Sequence, residues 1–142
     1  MSFDVQIVFD CAEPARLAEF WAEALGYIVQ PPPEGYASWE DLLREMGVPE
    51  EQWTSRSAVV DPDGRGPRIY FQRVPEGKAV KNRLHLDVRA APGLAGEERA
   101  QRMADEAQRL IGLGAEQVQA VTEMGEHWIV MRDPEGNEFC VT

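Results

Sequence analysis

Two histidines and two cysteines are spread over 142 residues, so each position able to carry acid–base or thiol chemistry can be weighed singly. His85 lies in Asn82–Arg89, where Leu84, Leu86 and Val88 alternate with Arg83, His85 and Asp87. That period of two predicts a strand with the imidazole on its polar face. Such an imidazole titrates near neutral pH, which makes His85 the candidate catalytic acid or base; a structural or solvent-facing histidine is the plainer alternative. Cys140 falls in the last strand. Its thiolate could bind zinc or attack an electrophile, but no neighbouring base is visible in sequence, and a free cysteine is ordinarily a small buried hydrophobe. Cys11 takes the same reading, and His127, beside Met124-Gly125-Glu126, reads as surface.

These residues need elements to position them. Phe3–Asp10 is rich in β-branched and aromatic side chains and predicts a first strand. Pro14 opens a helix whose stripe of Leu17, Phe20, Trp21, Ala24 and Leu25 ends at Gly26, and Tyr27–Val29 starts a second strand. Within Glu34–Thr54, Ser38 and Asp41 have the spacing of a capped helix start, and Gly47 and Pro49 stop that short helix. Further strands are expected at Ser57–Val60, Arg68–Val74, Val118–Val121, Trp128–Arg132 and Glu138–Val141. A long helix carries Ala100, Met103, Ala104, Ala107, Leu110 and Ile111 on one face. Trp21 belongs to a core, Trp128 to a core or a cavity wall. Trp39 and Trp53 bracket the 34–54 loop, where packing or a subunit contact outweighs a lid.

The second half repeats the first. Ala58-Val59-Val60-Asp61-Pro62-Asp63-Gly64 is mirrored by Val130-Met131-Arg132-Asp133-Pro134-Glu135-Gly136, Leu25-Gly26 by Leu113-Gly114, and Val5-Gln6-Ile7 by Leu84-His85-Leu86. Both halves read strand, helix, strand, strand, strand. The aspartate–proline turns themselves are explained by turn chemistry alone.

Composition mostly excludes. A net charge of −11 repels polyanions, so neither nucleic acid nor an anionic membrane surface is an expected partner. Two cysteines are too few for a disulfide scaffold, and the start of the chain shows no signal-peptide pattern, so a reduced cytoplasmic protein is the simplest expectation. Half of the 14 bases nevertheless crowd between Arg65 and Arg89, opposed only by Glu76 and Asp87. A solvated, salt-bridged rim is the default for such a run; side chains reaching a cavity would favour an anionic small molecule.

Glu13-Pro14-Ala15-Arg16-Leu17-Ala18-Glu19-Phe20-Trp21, Ala24-Leu25-Gly26-Tyr27 and Asp133-Pro134-Glu135-Gly136-Asn137-Glu138-Phe139 resemble the vicinal oxygen chelate superfamily, which includes glyoxalase I, bleomycin-resistance proteins and extradiol dioxygenases. The resemblance implies an α+β fold: two tandem βαβββ modules forming a curled mixed sheet around a central cavity. It implies one glyoxalase-like domain over 1–142, with module one at 1–77 carrying the 34–54 insertion and module two at 82–142. It also implies a homodimer.

In catalytic members of that superfamily a divalent metal is held by one residue from the first strand and one from the fourth strand of each module. The resemblance places these positions at Gln6, Gln72, His85 and Cys140, the last coming seven residues after the turn aspartate Asp133. Both carboxylates of glyoxalase-type members are missing, and two neutral amides compensate a hard cation poorly. The expectation is therefore a small-molecule-binding protein without a conventional metal centre, whose pocket is lined by Gln6, Phe71, Gln72, His85, Trp128 and Cys140. The alternatives are a lyase, isomerase or dioxygenase using zinc, nickel, iron or manganese, and an antibiotic-sequestering resistance protein.

Overall fold

The computed structural model describes residues 1–142, which divide into two compact units, Met1–Gly77 and Lys78–Thr142. In the first, β1 (Ile7–Cys11), α1 (Pro14–Leu25), β2 (Ile28–Val29), α2 (Trp39–Glu45), a 3-10 turn (Glu50–Gln52), β3 (Arg56–Val60) and β4 (Ile69–Arg73) follow in order. The strands form one sheet, β1-β4-β3-β2, with β1 parallel to β4 and the other pairs antiparallel. The second unit contains β5 (Asp87–Val88), α3 (Gly96–Gly112), β6 (Glu116–Glu123), β7 (Glu126–Arg132) and β8 (Glu138–Val141). Its sheet runs β5-β8-β7-β6, with β5 parallel to β8. The two units thus share one βαβββ topology, as the repeat predicts.

Each unit has a core between one helix and one sheet face. In the first, α1 buries Leu17, Phe20, Trp21 and Ala24, and Gly26 closes it at φ 71°, its N–H bonded to Ala22 O. Trp21 packs on Phe9 at 5.4 Å between ring centroids, and Phe9 stacks on Phe71 at 5.5 Å. In the second unit, Met103, Ala107 and Leu110 of α3 are buried, as are Ile129, Met131, Phe139 and Val141 of the sheet. Alternation along the strands then turns Tyr70 and Gln72, and likewise Trp128, Val130 and Arg132, to the opposite, half-open faces.

The repeated turns have the same chemistry. Asp61 Oδ1 accepts from Asp63 N at 2.9 Å and Asp133 Oδ1 from Glu135 N at 2.9 Å. The glycines that end them, Gly64 and Gly136, have φ of 68° and 85°, a region costly for any side chain. Asp133 is buried, and Asn137 donates to both its oxygens. Ser38 caps α2 by accepting from Asp41 N at 3.2 Å, as its spacing predicts.

Strand lengths differ from the sequence pattern where pairing partners run out. Phe3, 91% exposed, and Val5 precede β1, whose ladder starts with Ile7 N donating to Arg68 O. Residues 82–85 lie outside β5, and Leu84 is 72% exposed. The reason is that β8 begins at Glu138, whose side chain, not its backbone, meets Asn82. Conversely, β6 extends from Glu116 to Glu123 because Met124 and Gly125, both at positive φ, close a tight hairpin onto β7. That hairpin brings His127 Nδ1 to 2.9 Å from Thr122 Oγ1. No helix is long and apolar enough to cross a membrane.

Candidate functional site

On the open face of the first sheet, both glutamines expected there are already engaged. Gln6 Oε1 accepts from Arg68 Nη1 at 2.7 Å, and Arg68 Nε donates to Gln30 Oε1 at 2.7 Å. The guanidinium lies 5.3 Å from the centre of the Tyr70 ring. Gln72 Nε2 donates to Asp10 Oδ1 at 2.7 Å, its register partner on β1. Phe71 is elsewhere. It is fully buried on the helix-facing side against Phe9, so the expectation that it lines a pocket is corrected: β4 alternation gives Gln72 the open face and Phe71 the core.

On the second sheet, His85 and Cys140 come together with a residue not expected at the site. His85, Asp87 and Cys140 offer ligand atoms that all lie within 4.8 Å of one another. Asp87 and Cys140 are register partners across β5 and β8, and Cys140 N donates to Leu86 O at 2.9 Å, which pins position 140 between 85 and 87. His85 Nε2 lies 3.4 Å from Asp87 Oδ1, with side chains 43% and 53% exposed. The carboxylate and the imidazole thus share one half-exposed face of the segment. Burial pushes the Cys140 thiol above its usual range, and the charge of Asp87 adds to this against a smaller opposing effect from Lys81. A free thiolate nucleophile is therefore disfavoured. The signal for Asp87 was in the sequence, because the alternation that isolates His85 puts Asp87 on the same face.

A groove of roughly 600 Å³ opens beside this cluster, within the same unit. Val80, Val118 and Val130 give it apolar walls, Lys81 and Arg132 contribute cations, and Glu135 adds one carboxylate. Val130 is the register partner of Cys140, so groove and cluster share the β7–β8 seam. One wall is the segment Lys78–Lys81, tied down by Glu138 through Lys78 Nζ at 3.0 Å and Asn82 N at 3.0 Å. Partial burial would raise the Glu138 carboxyl, but the Asn82 N–H and the Lys78 ammonium outweigh it and hold the carboxyl at about 2. Lys81 and Arg132 are held loosely: the Lys81 Nζ contact with Asn82 O is 3.4 Å, and the Arg132 ion pair with Glu116 spans 4.0 Å. Trp128 is half-buried on β7, two residues before Val130.

The basic stretch is thus divided. Arg65 pairs with exposed Asp63, Arg73 donates to Ala12 O and Thr54 O, and Lys78 is neutralised by Glu138. Lys81 remains for the groove, joined by Arg132 from outside the stretch. In the 34–54 loop, Trp39 Nε1 donates to Gln30 O and Trp53 Nε1 to Val48 O, each at 2.9 Å, while Arg44 covers the Trp53 ring. The Trp39 indole ties the loop to Gln30, and the Trp53 indole braces the loop from within.

The four positions that the family resemblance implies for a metal fit such an ion badly. The amide oxygen of Gln6 is occupied by a guanidinium, and Gln72 adds no charge. His85, Asp87 and Cys140 are a different donor set, with nitrogen, oxygen and sulfur. That set suits a borderline cation such as zinc, which would act as a Lewis acid when bound.

A family model described as a glyoxalase-like domain matches residues 6–142. No curated protein matches the chain by sequence. Among solved structures the chain is similar to a fosfomycin resistance protein, FosX, from Listeria monocytogenes, in complex with manganese(II) and a dihydroxypropylphosphonic acid. That match has a TM-score of 0.64 at 10% identity, over 99% of this chain and 89% of that one. It is similar to a possible glyoxalase from Bacillus cereus, with a TM-score of 0.61 at 13% identity, over 100% and 99%. A glyoxalase/bleomycin resistance protein/dioxygenase family enzyme from Burkholderia phytofirmans PsJN gives 0.58 at 15%, over 96% and 94%. At these identities the likeness to each structure is one of fold.

Proposed function

The chain belongs to the glyoxalase-like domain family of the vicinal oxygen chelate superfamily, and from that premise we propose that it binds a small anionic molecule with an apolar body in the groove of its second unit. The groove is the observation that carries this reading. Its volume falls within the range of small-molecule sites, about 300–1,000 Å³. Its valines would take the apolar body, and Lys81 and Arg132 the anionic group. With Lys78 and Glu138 paired, the groove carries Lys81 and Arg132 against the single carboxylate of Glu135, a local departure from the net charge of −11 that would favour an anionic ligand over a cationic one. Binding is proposed to proceed without the conventional four-position metal centre, because Arg68 already occupies the Gln6 oxygen that would coordinate the ion.

The test uses anilinonaphthalene sulfonate, a fluorescent amphipathic anion. Saturable enhancement by the folded chain, weakened several-fold in Arg132→Ala and Lys81→Ala but not in the remote Arg16→Ala, is expected. Equal binding by all four proteins would sink the groove reading. For the metal clause, Gln6→Ala and Gln72→Ala should leave divalent-ion affinity unchanged, and a large loss in either would contradict it.

A further inference from the structure

We propose that Arg68 anchors an oxyanion site on the open face of the first sheet, taking the carboxylate or phosphate of a small molecule with an apolar body. The way its side chain is held sets it apart from the ion-paired bases. Arg16, Arg44, Arg65, Lys78, Arg109 and Arg132 each pair with a carboxylate. Arg68 is held instead by two amides: Gln30 Oε1 accepts from Nε and Gln6 Oε1 from Nη1, each at 2.7 Å. Neither glutamine carries charge, so the guanidinium is oriented without being neutralised.

Three neighbours enforce that orientation. Gln6 lies just before β1 and Gln30 just after β2, 62 and 38 positions from Arg68 in sequence. The centre of the Tyr70 ring stands 5.3 Å from the guanidinium carbon. Fixing a long side chain costs conformational entropy, and here the fold supplies it before any ligand arrives. Two of the five N–H groups on the guanidinium are spent on the glutamines, and three stay for a ligand. Arg68 is half-buried and Gln6 exposed, so an anion reaches these donors from solvent.

The same face offers a floor for the rest of the molecule. Val8 on β1 is the register partner of Tyr70 and is 48% exposed. Residues in register share a face of the sheet, so the valine and the tyrosine lie side by side next to the cation. A planar guanidinium fork matches a carboxylate or a phosphate bidentately, and the adjoining side chains suit an apolar or aromatic body. The site belongs to the first unit, so it stands or falls separately from the groove of the second.

Benzoate, phenyl phosphate and acetate, titrated into the full chain at constant ionic strength, test the proposal by NMR. Benzoate or phenyl phosphate should give saturable shifts of the Arg68 Nε–H, the Gln30 side-chain amide and the Val8 methyls. The tighter of the two names the anion as carboxylate or phosphate, either result supporting the site. Acetate should bind several-fold more weakly than benzoate. Arg68→Lys keeps the charge but loses the fork, and should weaken binding by about tenfold or more, read at Gln30 and Val8. Gln6→Ala, at an exposed position and with its fold checked by circular dichroism, should weaken binding several-fold through lost orientation alone. It keeps the test decisive even if Arg68→Lys fails to fold. No saturable shift at Arg68, full affinity in Arg68→Lys, or full affinity in Gln6→Ala would overturn the site, and equal binding of acetate and benzoate would overturn its apolar floor.

Discussion

The Lys78 ammonium bridges both oxygens of Glu138, at 3.0 and 3.1 Å, while the Asn82 N–H donates to the same carboxylate at 3.0 Å. One residue at the start of β8 thereby fastens Lys78–Asn82 to the sheet and sets a wall of the groove. Lys78 is consumed by this structural role, which leaves Lys81 and Arg132 as the cations for a ligand.

This arrangement makes stability depend on acid. The Glu138 carboxyl is held at about 2 against an ordinary 4.5. A depressed carboxyl stabilises the fold above its unfolded value, and that contribution is lost as pH falls from about 4.5 towards 2. Glu138→Gln should lower stability at pH 7 by on the order of 1 kcal/mol and flatten the acid limb of the pH–stability curve. Urea unfolding across pH 2–7 reads both effects; an acid limb identical to that of the unaltered chain would contradict the role given to Glu138.

Phe71 separates core from pocket. Buried between strand and helix against Phe9, it should cost ~3–5 kcal/mol when replaced by alanine, with little change in ligand affinity beyond the loss of folded protein. Chemical denaturation checks the magnitude. A well-folded Phe71→Ala protein with weakened ligand binding would return the ring to a pocket wall.

The duplicated turns should behave alike. Gly64→Ala and Gly136→Ala place a side chain at φ of 68° and 85°, and each should lower stability by about 1–2 kcal/mol. A thermal melt showing no change in either variant would mean that the turn relaxes to another geometry.

Much of this was legible in sequence, for physical reasons that particular residues make plain. Pro14 and Gly26 delimit α1 because each has a backbone preference that few other residues share. The Asp–Pro–x–Gly repeats mark equivalent turns because the side-chain bonds and positive φ are local. Strand ends were not legible, since they depend on the partner: Val5 looks like strand but has no ladder bond, and Glu116 looks like loop but pairs with Arg132. At the site, His85 and Cys140 were found by resemblance and do converge. Asp87 was overlooked because an exposed aspartate is unremarkable until the β5–β8 register sets it beside a thiol. The groove was missed for the same reason, as Val80, Val118 and Val130 are far apart in sequence.

The groove is tested most directly by the amide and methyl NMR spectrum of the chain during titration with octanoate, an apolar chain ending in a carboxylate. Saturable shifts centred on Val80, Val118 and Val130, and lost in Arg132→Ala, are the expected result. No saturable shift, or shifts confined to residues of the first unit such as those around Arg68, would contradict ligand binding in the groove.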